Sequence, residues 1–105
     1  MGNIKIREMN EKDIEEILYL EAKFPPKSRE MITKEKMNEL FLKNPNACLV
    51  AEENYRIVGA IFGEPRRDGC KIISLIIDLD KLGEDISSKL IKELSERTGS
   101  KNIIK

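Results

Sequence analysis

A chain of 105 residues with 40% apolar and 36% charged side chains has the size and balance of one globular domain. Lys plus Arg and Asp plus Glu both number 19, so the formal net charge is zero, which argues against a nucleic-acid-binding protein and against long-range steering of anions. There is no histidine, and Cys48 and Cys70 are the only cysteines, which speaks against an imidazole base and against the common zinc sites, so no metal is expected.

The first predicted element is a strand over residues 3–8, where Asn-Ile-Lys-Ile-Arg-Glu alternates with period two. This opening has no long apolar stretch, so it does not read as a signal peptide, and Ile6 stands where a myristoylation signal at Gly2 needs Ser or Thr. Asn10 is placed to cap a helix whose apolar face runs from Ile14 through Leu20 and which Pro25-Pro26 stops. A second helix is expected over residues 33–43, capped by Thr33 and ended by Asn44-Pro45, with Met37, Leu40 and Phe41 on one face. Met31 and Met37 are assigned to the core or to loop packing.

Three strands follow, over residues 47–52, 56–63 and 71–77, with turns at Glu53-Asn54-Tyr55 and at Pro65 to Gly69. Alternation puts Ile57, Gly59 and Ile61 on one side of the middle strand and Val58, Ala60 and Phe62 on the other. Both faces are apolar, so helices must cover both, giving a layered α/β domain. A third helix is expected over residues 84–98, with Ile86, Leu90, Ile91 and Leu94 as its buried stripe and Gly99 just past its end. Residues 102–105 read as the start of a last strand, parallel to the one before the helix. Both cysteines are assigned to the core, and no apolar run approaches the roughly 18 residues of a membrane span, so the cytoplasm is the expected location.

The order β-α-α-β-β-β-α-β resembles the GNAT superfamily of N-acetyltransferases, the acyl-CoA N-acyltransferase fold. Three stretches carry the likeness: residues 4–13, residues 44–53 with Arg56-Ile57-Val58-Gly59, and Ile76-Ile77 through Leu90-Ile91. The resemblance implies a mixed, mostly antiparallel sheet flanked by helices. It also implies that acetyl-CoA is bound and that its acetyl group passes to an amine. The neutral amine would attack the thioester carbonyl while main-chain N–H groups stabilise the developing oxyanion. By the same resemblance Ile76 and Ile77 lie along the pantetheine arm, and Leu82, Gly83, Asp85, Ser87 and Ser88 lie at the diphosphate. In the family that loop reads Arg/Gln-x-x-Gly-x-Gly/Ala, and its main-chain N–H groups grip the diphosphate at a helix N-terminus.

Two departures stand out. Of the glycines and basic residue of the family loop, only Gly83 keeps its identity; Leu82 replaces the basic residue and Asp85 replaces a glycine. Acidic residues at a helix start also suit the helix dipole, so Asp85 has an alternative role as a cap that fills the phosphate position. Residues 1–105 form a single domain without the helix and two strands that follow the fifth strand in the family, and with them the Tyr that often protonates the leaving thiolate. A last strand left as an apolar edge makes a second copy of the chain the expected cover.

The candidate catalytic residues are Asp78 and Glu64, each placed to act as base for an incoming amine or else to be a solvated surface acid. Arg66-Arg67 either meets an acidic partner or is a solvated hairpin tip. Two readings of function remain open: acetyl transfer to an amine, and a non-catalytic GNAT-like module that binds a protein or senses CoA. A truncated product without activity is a third.

Overall fold

The computed structural model describes residues 3–25 and 31–104, with the side chains of residues 82–84 outside that description. The expectations for Gly2 and Pro26, and for the side chains of Leu82 and Gly83, therefore fall outside it. The elements in order are β1 (Lys5–Glu8), α1 (Asp13–Lys23), α2 (Lys34–Lys43), a 3-10 turn (Pro45–Ala47), β2 (Cys48–Glu53), β3 (Arg56–Arg66), β4 (Gly69–Ile77), a 3-10 helix (Leu79–Glu84), α3 (Ile86–Thr98) and β5 (Ile103–Ile104). The strands form one sheet in sequence order. β1 to β4 are antiparallel neighbours, and β5 runs parallel to β4 through Cys70–Ile103 and Lys71–Ile104. This is the mixed α/β architecture that the apolar strands with helices on both faces demand.

The two faces carry separate cores. Ile14, Ile17 and Leu20 of α1 and Met37 and Leu40 of α2 pack against Val50, Ala60, Phe62 and Ile76. Ile86, Leu90 and Leu94 of α3 pack on the opposite face against Leu49, Ala51, Ile61 and Ile72. Two positions depart from the expected faces. Ile57 joins the α1/α2 side and Val58 the α3 side. The cause is a β-bulge: Ala51 pairs with Gly59 but Glu52 pairs with Ile57, which leaves Val58 as an extra residue. The Ile57 N–H donates to Glu16 Oε2 on α1 at 2.7 Å, so the helix satisfies a strand group at the irregularity. Met31 is the second correction: it is exposed, whereas Met37 is fully buried.

Boundaries shift for local reasons. α1 begins regularly at Asp13, later than a cap at Asn10 implies. Asn10 Oδ1 still accepts the Lys12 N–H, and Asp13 Oδ2 accepts the Asn10 N–H, so the entry turn closes reciprocally. Thr33 caps α2 by accepting the Lys36 N–H at 3.1 Å, as expected. β3 continues through Pro65, which the composition assigned to a turn. Pairing with β2 stops at Cys48–Phe62, so Pro65 lies where β3 has no strand on that side and its missing N–H costs nothing. The first hairpin turns on Asn54 and Tyr55, both with φ near +60° (52° and 65°), the two-residue geometry that matches strand twist.

Ion pairs tie the first elements together. Arg7 donates to both carboxylate oxygens of Asp13, at 2.7 and 3.0 Å, and to Glu52 at 3.1 Å. The Asp13 hydrogen bond, with that of Glu52, holds the guanidinium more firmly protonated than usual. A buried carboxylate, Glu21 on α1, accepts the Ile32 N–H at 2.8 Å just ahead of α2. Burial raises its pKa above the carboxylate value of 4.5, and the Ile32 hydrogen bond opposes this only in part. An acid with a raised folded pKa binds more protons folded than unfolded, so its contribution to stability falls as pH rises from 4.5 through the folded value. Glu21→Gln keeps an oxygen for Ile32 and removes the charge. Its melting temperature at pH 7 should exceed the wild type's, with the gap closing as pH falls below about 4.5. A gap independent of pH between 3 and 8 (roughly the range of carboxylate titration) would refute this account.

Candidate functional site

The sheet order puts three segments at one end of the molecule: the turn after β2, the end of β4 and the start of α3. Asp78 leaves β4 with its N–H donating to Val58 O at 2.9 Å. Its carboxylate accepts the Asp80 N–H at 2.9 Å and caps the 3-10 helix. That 3-10 helix occupies the link between β4 and the third helix, which was expected from residue 84 and starts regularly at Ile86. Asp85 is the pivot. It holds a left-handed backbone (φ 53°, ψ 43°), the conformation that glycine adopts without penalty. Asp85 is exposed and its side chain makes no capping hydrogen bond, so it does not plug the helix N-terminus in the way a capping carboxylate would.

Among the described residues, no side chain is recorded capping the first-turn N–H groups of α3. Ser87 is half-buried and Ser88 exposed in this turn. Ile86 drives inward and packs over Gly59, where an added Cβ would stand 2.8 Å from Ile86 Cγ2. Gly59 is thus what lets the helix start sit close to the sheet. Ile77 is partly buried on the α3 side and Ile76 is buried on the other, so only their main-chain groups are disposed toward a ligand lying along the strand edge. β4 pairs with β5 at Cys70 and Lys71. A second bulge, at Ile73, follows, where Phe62 pairs with Ser74 but Gly63 pairs with Ile72. Among the candidates, the structure gathers Asp85, Ser87 and Ser88 at one helix end, and the main chain of Leu82 and Gly83 lies in the 3-10 helix leading to it.

It does not gather the two candidate bases. Asp78 lies beside Val58 and Glu64 is paired with Lys71, roughly 20 Å apart along β3 at about 3.3 Å per residue. Glu64 accepts from Arg66 Nε at 3.1 Å and Nη2 at 2.9 Å. The Arg66 guanidinium holds its carboxyl below the usual range, which makes it a weaker base. Arg66 is therefore engaged within its own strand. Burial pushes the Cys48 thiol up to about 12 and raises Cys70 as well, so neither is a nucleophile.

The sequence reading missed a pocket of about 350 Å³ between the end of α1, the β2–β3 turn and the 3-10 helix after β4. Lys23, Arg56 and Lys81 line it together with Glu53, Asp78 and Asp80. Lys81 pairs with the buried carboxylate of Glu53 at 2.6 Å. Lys81 stands next to Leu82, the position that lacks the family's basic residue, and that adjacency was the available signal.

Solved structures share this fold. Ard1 from Thermoplasma volcanium is 20% identical with a TM-score of 0.74, over 90% of this chain and 65% of that one. Diaminobutyrate acetyltransferase EctA from Paenibacillus lautus, in complex with L-2,4-diaminobutyric acid and coenzyme A, is 14% identical with a TM-score of 0.77, over 90% of this chain and 58% of that one. A GNAT family acetyltransferase from Brucella melitensis, in complex with acetyl-CoA, is 25% identical with a TM-score of 0.68, over 98% of this chain and 75% of that one. The chain thus spans less than two thirds of the length of the Ard1 and EctA structures. No curated protein sequence matches it significantly. With five strands and three α-helices among the described residues in the expected order, and a family model described as an acetyltransferase (GNAT) domain matching residues 8–104, the chain belongs to the GNAT acetyltransferase family.

Proposed function

We propose that this domain binds acetyl-CoA and transfers the acetyl group to an amine. The observation that carries the reading is the N-terminus of α3, which the Asp85 side chain leaves uncapped and which follows, after one 3-10 helix, a strand whose pairing with β5 involves only Cys70 and Lys71 among the described residues. The main-chain N–H groups at Ile86, Ser87 and Ser88 suit a diphosphate, and the Ser87 and Ser88 hydroxyls add donors. The main chain of β4 from Ile73 to Ile77 suits a pantetheine arm. Acetyl-CoA supplies the acyl group as a thioester. Residues 1–105 make up one domain that holds the cofactor-binding part of the fold. The reading takes the protein as cytoplasmic and leaves room for a second copy against β5.

A second reading is a GNAT-like module that binds a protein or senses CoA without chemistry. What favours it is that Asp78 and Glu64 both have other partners and that Asp85 presents a carboxylate at the diphosphate position. Thermal unfolding with and without acetyl-CoA separates these readings. A ligand at 100 times its dissociation constant adds about 2.7 kcal/mol, a rise on the order of 10 °C for a domain of this size. Millimolar acetyl-CoA should therefore raise the melting temperature. No rise removes both acetyl transfer and CoA sensing and leaves a protein-binding module. A rise with no CoA released in the presence of a panel of primary amines, L-2,4-diaminobutyrate among them, selects the sensor.

A further inference from the structure

We propose that the pocket between the β2–β3 turn and the 3-10 helix after β4 takes a phosphate group of CoA by an exchange of partners at Glu53. The inference rests on the acetyl-CoA reading above and names the cation that serves it. Lys81 lies in this 3-10 helix, five positions ahead of Ile86, with non-helical torsions (φ −110°, ψ 28°). Its ammonium meets Glu53 at 2.6 Å, and Glu53 is only 8% exposed.

Charge sets the terms. Lys23, Arg56 and Lys81 face Glu53, Asp78 and Asp80 across the same space, so cations and carboxylates balance. A phosphate enters such a pocket only if a carboxylate is covered by another cation. Asp78 is fixed as the cap of the 3-10 helix. Glu53 has an alternative: Arg56 is its direct partner across the hairpin and lines the same pocket. Arg56 makes no ion pair among the described residues. When a phosphate arrives, Lys81 turns from Glu53 to the phosphate oxygens, and Arg56 takes over Glu53. A buried carboxylate left without a cation would cost far more than the exchange, so Arg56 is the positioning residue that makes it possible.

In this arrangement Glu53 is a resident competitor for Lys81. Neutralising it should strengthen cofactor binding even though it removes an ion pair. The test is titration calorimetry of acetyl-CoA, 3′-dephospho-CoA and inorganic diphosphate into wild type and three variants, with melting curves of each unliganded protein. Glu53→Gln should bind acetyl-CoA about tenfold tighter, and Lys81→Gln about tenfold weaker, the scale of one charge-assisted contact. Arg56→Gln should weaken binding by a similar factor while leaving the unliganded melting temperature unchanged. A Lys81→Gln loss that persists with dephospho-CoA and diphosphate assigns the group to the diphosphate; a loss seen only with the full cofactor assigns it to the 3′-phosphate. Glu53→Gln binding no tighter than wild type overturns the exchange. So does a common direction of change for Glu53→Gln and Lys81→Gln, which is the mark of a purely structural pair. If wild type and Glu53→Gln both fail to bind acetyl-CoA, the cofactor reading falls too; if wild type binds and Lys81→Gln is unaltered, only the exchange falls.

Discussion

Replacing Gly69 with Ala should lower the melting temperature by on the order of 20 °C, a loss of roughly 3–5 kcal/mol from backbone strain and overpacking together. Gly69 opens β4 at φ +148°, a region that L residues rarely enter. A Cβ there would stand 2.2 Å from the carbonyl oxygen of Asn102, a main-chain atom with no freedom to step aside. That carbonyl already accepts the Cys70 N–H at 2.9 Å, and the Asn102 side chain donates to Asp68 O at 2.8 Å. Gly69 is thus the point where β5 locks against β4. Gly99 is the internal comparison. It also has positive φ (69°), but an added Cβ meets nothing within 4 Å. Gly99→Ala should cost only the left-handed penalty, about 1 kcal/mol. Circular-dichroism melts of both variants decide the matter. A fall at Gly69→Ala no larger than at Gly99→Ala would mean that β5 moves aside freely. If the parallel pairing does set the position of the edge beside Ile73 to Ile77, Gly69→Ala should also lose affinity for acetyl-CoA.

The sheet and its two covering layers were legible because the signals are local. Residues 47–77 are apolar on both faces and broken by two short turns, which fixes three adjacent strands and demands helices on both sides. Thr33 and Gly99 mark helix ends by chemistry that acts within a few residues. The misses have a common cause, which is that each depends on a partner distant in sequence. Val58 and Ile57 are interchangeable to a period-two reading, and only the offset against Ala51 and Glu52 assigns their faces. Pro65 reads as a turn residue unless β2 is known to end its pairing before it. At the site, the mismatches at Leu82 and Asp85 were visible, but what stands in their place was not. Lys81 gains meaning only when the hairpin end carrying Glu53 and Arg56 is seen beside it. The left-handed turn at Asp85 has no signature in an aspartate, though glycine at the matching family position anticipates it.

Replacing that aspartate is the second large effect, and it acts on affinity and not on stability. Asp85→Gly removes an exposed carboxylate at the head of α3, where the proposed diphosphate meets the main-chain N–H groups. A carboxylate about 4 Å from a phosphate charge opposes it by about 1 kcal/mol in bulk water and about 4 kcal/mol at an effective dielectric near 20. An exposed side chain lies toward the lower figure, so acetyl-CoA should bind about tenfold tighter in the variant. The unliganded protein should hardly change. Glycine relieves the left-handed strain, but it also enlarges the unfolded ensemble by about 0.4–1 kcal/mol, and the two offset. Asp85→Asn sharpens the interpretation, because asparagine tolerates the same backbone and carries no charge. It should reproduce most of the gain, and the gain should shrink as ionic strength shortens the reach of the carboxylate. If glycine strengthens binding and asparagine does not, the obstacle is the side chain's bulk and the charge argument is wrong. If neither does, the N-terminus of α3 is not where the cofactor's phosphates bind.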